Sequence, residues 1–104
     1  MSYFVYKLEP HRPDFPAGMT EAEAGTMGEH VAYWQALADK GTAVVFGPVA
    51  DPAGFWGLAV VEAEDEDQVR AIRAADPAVR DGIGRVGIHP MPDAITGRPR
   101  RAAP

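Results

Sequence analysis

Of the three histidines in the chain, His30 is the one placed to do chemistry. It follows Met27 by three residues and directly precedes Val31, so on a helix it falls on the apolar stripe rather than the charged face. An imidazole in apolar company serves as a general base near neutral pH when a carboxylate fixes its tautomer and stabilises its protonated form. The carboxylate that the pattern offers is Asp76. It lies seven residues beyond Val69 and four beyond Ile72, which places it at the end of the inward face of a second helix. Plainer roles are open to both residues. A lone histidine on an apolar face also serves as a hydrogen-bonded core residue, and Asp before Pro77 is a standard helix start, with Asp as N-cap and Pro in the first helical position. Capping and proton transfer can coexist on different carboxylate oxygens.

Around this pair, Tyr33 and Trp34 offer aromatic walls for a small-molecule pocket, although a tryptophan at this spacing also reads as core. Gly47 and Pro48, at the end of a predicted strand, complete the candidate substrate contacts. His11 and His89 sit beside prolines, and neither has a His, Cys, Asp or Glu companion at metal-ligand spacing, so no metal is expected. There is no Gly-rich phosphate loop, no nucleophile elbow and no Ser or Cys in an obvious nucleophile position, so no cofactor is expected either.

The elements that must position these residues follow from local pattern. Tyr3 to Leu8 is aromatic and β-branched and stops at Glu9-Pro10-His11-Arg12-Pro13, a strand followed by a loop. Thr20 and Glu23 form a capping box that opens a long helix. Met27, Val31, Trp34, Leu37 and Ala38 mark its inward face, and Lys40-Gly41 closes it. Gly25 and Gly28 each cost about 1 kcal/mol relative to Ala in a helix, which suggests either close backbone approach or an irregular start. Thr42 to Phe46 is a second strand ended by Gly47-Pro48, and Asp51 to Gly54 turns the chain into a third, Phe55 to Val61. The acidic run Glu62 to Asp67 opens a second helix, with Asp65 and Gln68 in capping-box spacing, and Val69 and Ile72 face inward. Ile83 to Met91 closes as a fourth strand, and Gly97 to Pro104 reads as a mobile tail.

The order is β-α-β-β-α-β, which predicts an α+β ferredoxin-like domain over residues 1–95: a four-stranded antiparallel sheet with both helices on one face. Two helices cover only that face, yet Tyr3-Phe4-Val5-Tyr6, Ala43-Val44-Val45-Phe46 and Phe55 to Val61 are apolar on both. A monomer seldom leaves such a surface in water. The symmetric remedy is a homodimer that packs sheet on sheet.

Composition narrows the functional classes. A net charge of -5 argues against nucleic acid, which draws its affinity from clustered Lys and Arg; the basic residues cluster only in the tail, at Arg98, Arg100 and Arg101. No apolar run reaches the ~20 residues of a membrane-spanning helix. The N-terminus reads as a strand rather than a secretory signal, and there is no cysteine, so a cytoplasmic location is the default expectation.

The chain also resembles the YCII-related (YciI-like) family of the dimeric α/β-barrel group, from about Tyr3 to Met91. The resemblance is carried by Met27-Gly28-Glu29-His30-Val31-Ala32-Tyr33-Trp34, by Phe46-Gly47-Pro48, by Gly54-Phe55-Trp56-Gly57, and by Asp76-Pro77-Ala78-Val79 followed by Gly82 and His89-Pro90-Met91. It implies a ferredoxin-like domain that dimerises through its sheets, with His30 and Asp76 as the active-site pair. The best-understood chemistry of the family is dehydrochlorination of a chlorinated hydroxyquinone. The chain departs from shorter members in the Pro-rich loop Glu9 to Met19 and in having no arginine in the turn before His30.

Together these readings predict a cofactor-independent enzyme of lyase or isomerase type, with His30 moving a proton on a small cyclic or carbonyl substrate and Asp76 orienting the ring. Two alternatives stand beside it: a dimeric ligand-binding or accessory module, and a cofactor-free oxygenase of the same barrel group.

Overall fold

A computed structural model describes residues 1–97. The predicted basic tail therefore lies almost wholly outside the described residues. Strand β1 (Ser2–Pro10) leads into helix α1 (Glu21–Asp39), then strands β2 (Ala43–Val49) and β3 (Trp56–Ala63), helix α2 (Glu66–Ala75), the single turn α3 (Pro77–Arg80) and strand β4 (Gly84–Met91). The sheet order is β2-β3-β1-β4 with every pair antiparallel, so the first strand lies inside the sheet between β3 and β4. This is the ferredoxin-like α+β arrangement expected from the order of elements. No helix among the described residues is long and apolar enough to cross a membrane.

Local chemistry sets the boundaries. Thr20 accepts a hydrogen bond from the Glu23 amide while the Glu23 side chain accepts from the Thr20 amide, so two orphan donors of α1 are satisfied. Past the other end, Gly41 adopts φ 82°, a left-handed conformation that glycine enters without a Cβ penalty. Asp65 caps α2 by accepting from the Gln68 amide. Asp76 ends α2 and begins α3, with Pro77 in the first turn. Gly84 is needed for a different reason: a Cβ there would collide with the Glu9 carbonyl across the β1–β4 ladder.

Several boundaries differ from expectation. Strand β2 does not stop at Gly47-Pro48 but runs on to Val49, because β2 lies at the sheet edge, where proline's missing amide donor need not leave a ladder bond unmade. Gly25 and Gly28 lie inside a continuous α1, and a Cβ at either would meet open space, so neither serves a close backbone approach nor marks an irregular start. Val31, expected on the inward face, is 53% exposed.

The two faces of the sheet are unlike. Phe4, Tyr6, Ala59, Val61 and Ala63 are buried against Trp34 of α1 and Val69 and Ile72 of α2. A smaller cluster of Leu8, Phe15, Ala78 and Ile83 extends the core beneath the loop after β1. On the opposite face Val5 pairs with Val60, Val45 also pairs with Val60, Lys7 with Leu58 and Tyr3 with Met91. Among the described residues no helix packs there.

Candidate active site

The site begins with two short-range facts that the fold brings together over long range. Helix α1 presents His30 and Trp34 one turn apart. The break between α2 and α3 fixes Asp76 in extended backbone, with φ -69° and ψ 121°, immediately above the sheet. Strand β1 supplies Tyr6 from below. The Asp76 carboxylate is fully buried, and four donors converge on it. His30 Nδ1 lies 2.8 Å and the Ala78 amide 2.9 Å from Oδ1. The Tyr6 hydroxyl donates to Oδ2 at 2.7 Å and the Trp34 indole at 3.0 Å. Tyr6 and Trp34 also meet edge to face, with centroids 4.7 Å apart.

A carboxylate taken fully out of water needs such a set of partners. Burial pushes the Asp76 carboxyl upward, but the hydrogen bonds from His30, Tyr6 and Trp34 outweigh it and hold the group below its ordinary value. Asp76 is therefore ionised at neutral pH. The Tyr6 phenol moves the other way, raised first by burial and then by its bond to Asp76, so it remains a donor. Because an ionised carboxylate only accepts, His30 Nδ1 must carry the hydrogen it shares with Asp76. In the neutral ring Nε2 is then an acceptor. Among the described residues Nε2 has no hydrogen-bond partner, and His30 lies on the wall of a pocket of about 380 Å³.

The pocket opens between α1, the inner face of the sheet and the loop after β1. Its wall is almost entirely apolar, with Leu8, Phe15, Met27, Phe46 and Ile83 among the contributors. Of the sequence-derived candidates, His30, Trp34, Gly47 and Pro48 all line it. Asp76 stands behind His30 rather than in the wall. Tyr33 is elsewhere: it packs against the core and its hydroxyl donates to the Ile72 carbonyl at 2.8 Å, tying α1 to α2. Its neighbour Trp34 takes the wall because residues adjacent on a helix diverge by about 100°. Capping and the histidine bond use the same carboxylate oxygen: Ala78 and His30 share Oδ1, while Oδ2 serves Tyr6 and Trp34.

Two contributors escaped sequence reasoning. Tyr6 read only as one residue of an aromatic strand, and its parity with Phe4 and Leu8 was the one available hint that it faces the helices. Phe15, in a loop between prolines, is 4% exposed and packs on Leu8, Ala78 and Ile83. A lone aromatic in a Pro-rich loop was its only signal.

Comparison with known proteins agrees with the architecture. The YCII-related domain model matches residues 2–92. A search of curated proteins finds no match. Among solved structures, the chain is similar to 5-chloro-2-hydroxyhydroquinone dehydrochlorinase (TftG) from Burkholderia phenoliruptrix AC1100, in complex with 2,5-dihydroxybenzoquinone. The TM-score is 0.63 at 18% identity, over 84% of this chain and 90% of that one. At that identity the likeness is one of fold. With the family model spanning nearly all of the folded domain, the chain belongs to the YCII-related family.

Proposed function

We propose that this protein is a cofactor-independent enzyme of lyase or isomerase type in which His30 Nε2 removes a proton from a small ring substrate. The observation that carries the reading is the asymmetry of the imidazole: Nδ1 is engaged by a buried carboxylate, whereas Nε2 has no partner among the described residues and the ring lines an apolar pocket. As Nε2 takes the proton, the developing imidazolium is stabilised by Asp76, whose negative charge is already fixed by Tyr6, Trp34 and Ala78. The electron pair left on the substrate then expels a leaving group, as in dehydrochlorination, or is reprotonated at another atom, as in isomerisation. The dehydrochlorinase activity of the structural neighbour supports the first form.

The working unit in this reading is a homodimer. Tyr3, Val5, Val45, Leu58, Val60 and Met91 share the sheet face opposite the helices, with Val45 53% and Met91 38% exposed. A second sheet packed there would cover them and leave the pocket on the helix face.

The test is the ring opening of 5-nitrobenzisoxazole, a neutral bicyclic probe whose single step is loss of a carbon-bound proton with cleavage of the N–O bond. Wild-type protein is expected to accelerate the reaction over buffer, and His30→Ala to abolish the acceleration while retaining the wild-type fold. Equal rates for the two proteins would remove His30 as a base and leave a ligand-binding module.

A further inference from the structure

The pocket that His30 borders is unusual in how few polar groups it offers, and that scarcity defines what it can hold. Among the described residues its lining contains no Lys, Arg, Asp or Glu side chain. Tyr6 and Trp34 line it, but each commits its single donor to Asp76 Oδ2. Trp56 likewise commits its indole donor to Asp51. Among the described residues this leaves His30 Nε2 as the one side-chain nitrogen of the lining residues without a partner, and in the neutral ring it accepts rather than donates. An ionised ligand entering such a site would lose its hydration and gain no counter-charge from the described residues.

The loop after β1 forms one side of this environment. Arg12 is the cation nearest in sequence to the loop tip, yet it does not line the pocket. Its guanidinium donates to both oxygens of Glu23 at 2.8 and 2.9 Å and to the Gly18 carbonyl at 2.8 Å, and it lies 5.5 Å from the Phe15 ring centroid. Two further bonds from the Ala17 and Gly18 amides to the Asp14 carbonyl tighten the turn. The clamp holds Phe15 in the core, where it and Pro16 and Met19 form one side of the pocket. Size sets the remaining limit: a cavity of ~150 Å³ is enough for benzene, so 380 Å³ accommodates one or two rings.

Resting on the proton-transfer reading above, we infer that the substrate is a neutral, predominantly apolar molecule of one or two rings that presents a single hydroxyl or similarly acidic hydrogen to His30 Nε2, and that Phe15, held by the Arg12–Glu23 clamp, determines this selectivity. A ring carrying a free carboxylate is excluded. Phe15 and Arg12 are thus specificity residues rather than catalytic ones.

The experiment is a binding comparison of p-cresol, 4-hydroxybenzoate and toluene, followed through the Trp34 indole and His30 ring signals by NMR. It needs no turnover, so it fails or succeeds independently of the ring-opening assay. At neutral pH p-cresol is uncharged, its phenol titrating near pH ~10, whereas 4-hydroxybenzoate differs by carrying a carboxylate in place of the methyl group. We expect p-cresol to bind at least tenfold more tightly than either analogue and to shift both signals. Phe15→Ala should weaken p-cresol binding, Phe15→Leu should restore part of it, and Arg12→Ala should narrow the ratio between p-cresol and 4-hydroxybenzoate. Equal or tighter binding of 4-hydroxybenzoate would overturn the inference. So would toluene matching p-cresol, shifts confined to residues away from Trp34 and His30, or a ratio unchanged in both Phe15→Ala and Arg12→Ala.

Discussion

Asp76 and Glu23 are both carboxylates held below their ordinary pKa, and they differ in almost everything else. Asp76 is fully buried, and three of its four donors, Tyr6, His30 and Trp34, come from elements more than forty residues away in sequence. Glu23 keeps a fifth of its side chain in solvent (21%), and its partners, Arg12 and Thr20, lie within eleven residues. The Arg12 guanidinium, with help from the Thr20 amide, draws the Glu23 carboxyl down to about 2. For Asp76 the same kind of bonding must first overcome burial. The buried carboxylate organises the core and the candidate base together, whereas the partly exposed one orders a loop. Removing the first should damage the fold, and removing the second should alter only what the pocket admits.

The sharpest way to break that contrast is Asp76→Ala. It leaves the Tyr6 hydroxyl, the Trp34 indole and the Ala78 amide without their acceptor, and losing one partner from a buried charged network costs about 3–5 kcal/mol. Urea denaturation checks this, and a loss no larger than a surface substitution would erase the distinction between the two sites. Next in size is Tyr6→Phe, which deletes one donor to an ionised acceptor and should cost about 1.5–3 kcal/mol. Because that donor helps lower the Asp76 pKa, the variant should also raise it, as followed by the carboxyl carbon shift in NMR.

A pH series separates the two carboxylates further. The folded pKa of Asp76 lies below its unfolded value, so its contribution is fully present above the ordinary Asp range of ~3.9 and is lost as pH falls through the lower folded value. The stability difference between wild type and Asp76→Asn, measured by urea denaturation, should accordingly shrink in acid as pH falls through the folded Asp76 value. The smallest effect is expected for Glu23→Gln. Its urea midpoint at neutral pH should stay close to wild type, because a surface ion pair of this kind adds little, while amide exchange in residues 12–18 should quicken. In wild type that protection should hold above the ordinary Glu value of 4.5 and fade as pH drops toward about 2.

How much of this was readable in advance follows the same division. The Thr20–Glu23 box, the Asp65 cap, the Asp76-Pro77 step and the Gly41 termination are each written in a few adjacent residues, because capping bonds close over one helical turn. The order of strands and helices followed from them. The end of β2 was misjudged because proline blocks a strand only where its amide would face a neighbour, and edge position is a property of the whole sheet. Tyr33 was misplaced because the weakly amphipathic, alanine-rich α1 does not announce which of two adjacent aromatics turns toward the pocket.

By itself, then, the sequence determined the elements, their caps, the two-faced apolar strands and the pairing of a helix-borne histidine with a helix-breaking aspartate as candidates. Only the tertiary structure decided that Tyr6 and Trp34 share that aspartate, that His30 Nε2 has no partner among the described residues, and that Phe15 walls the pocket. Caps and turns depend on bonds between near neighbours, which a local pattern contains. The convergence of β1, α1 and the α2–α3 break on one carboxylate depends on strand register and helix rotation, which are set by the packing of the whole core.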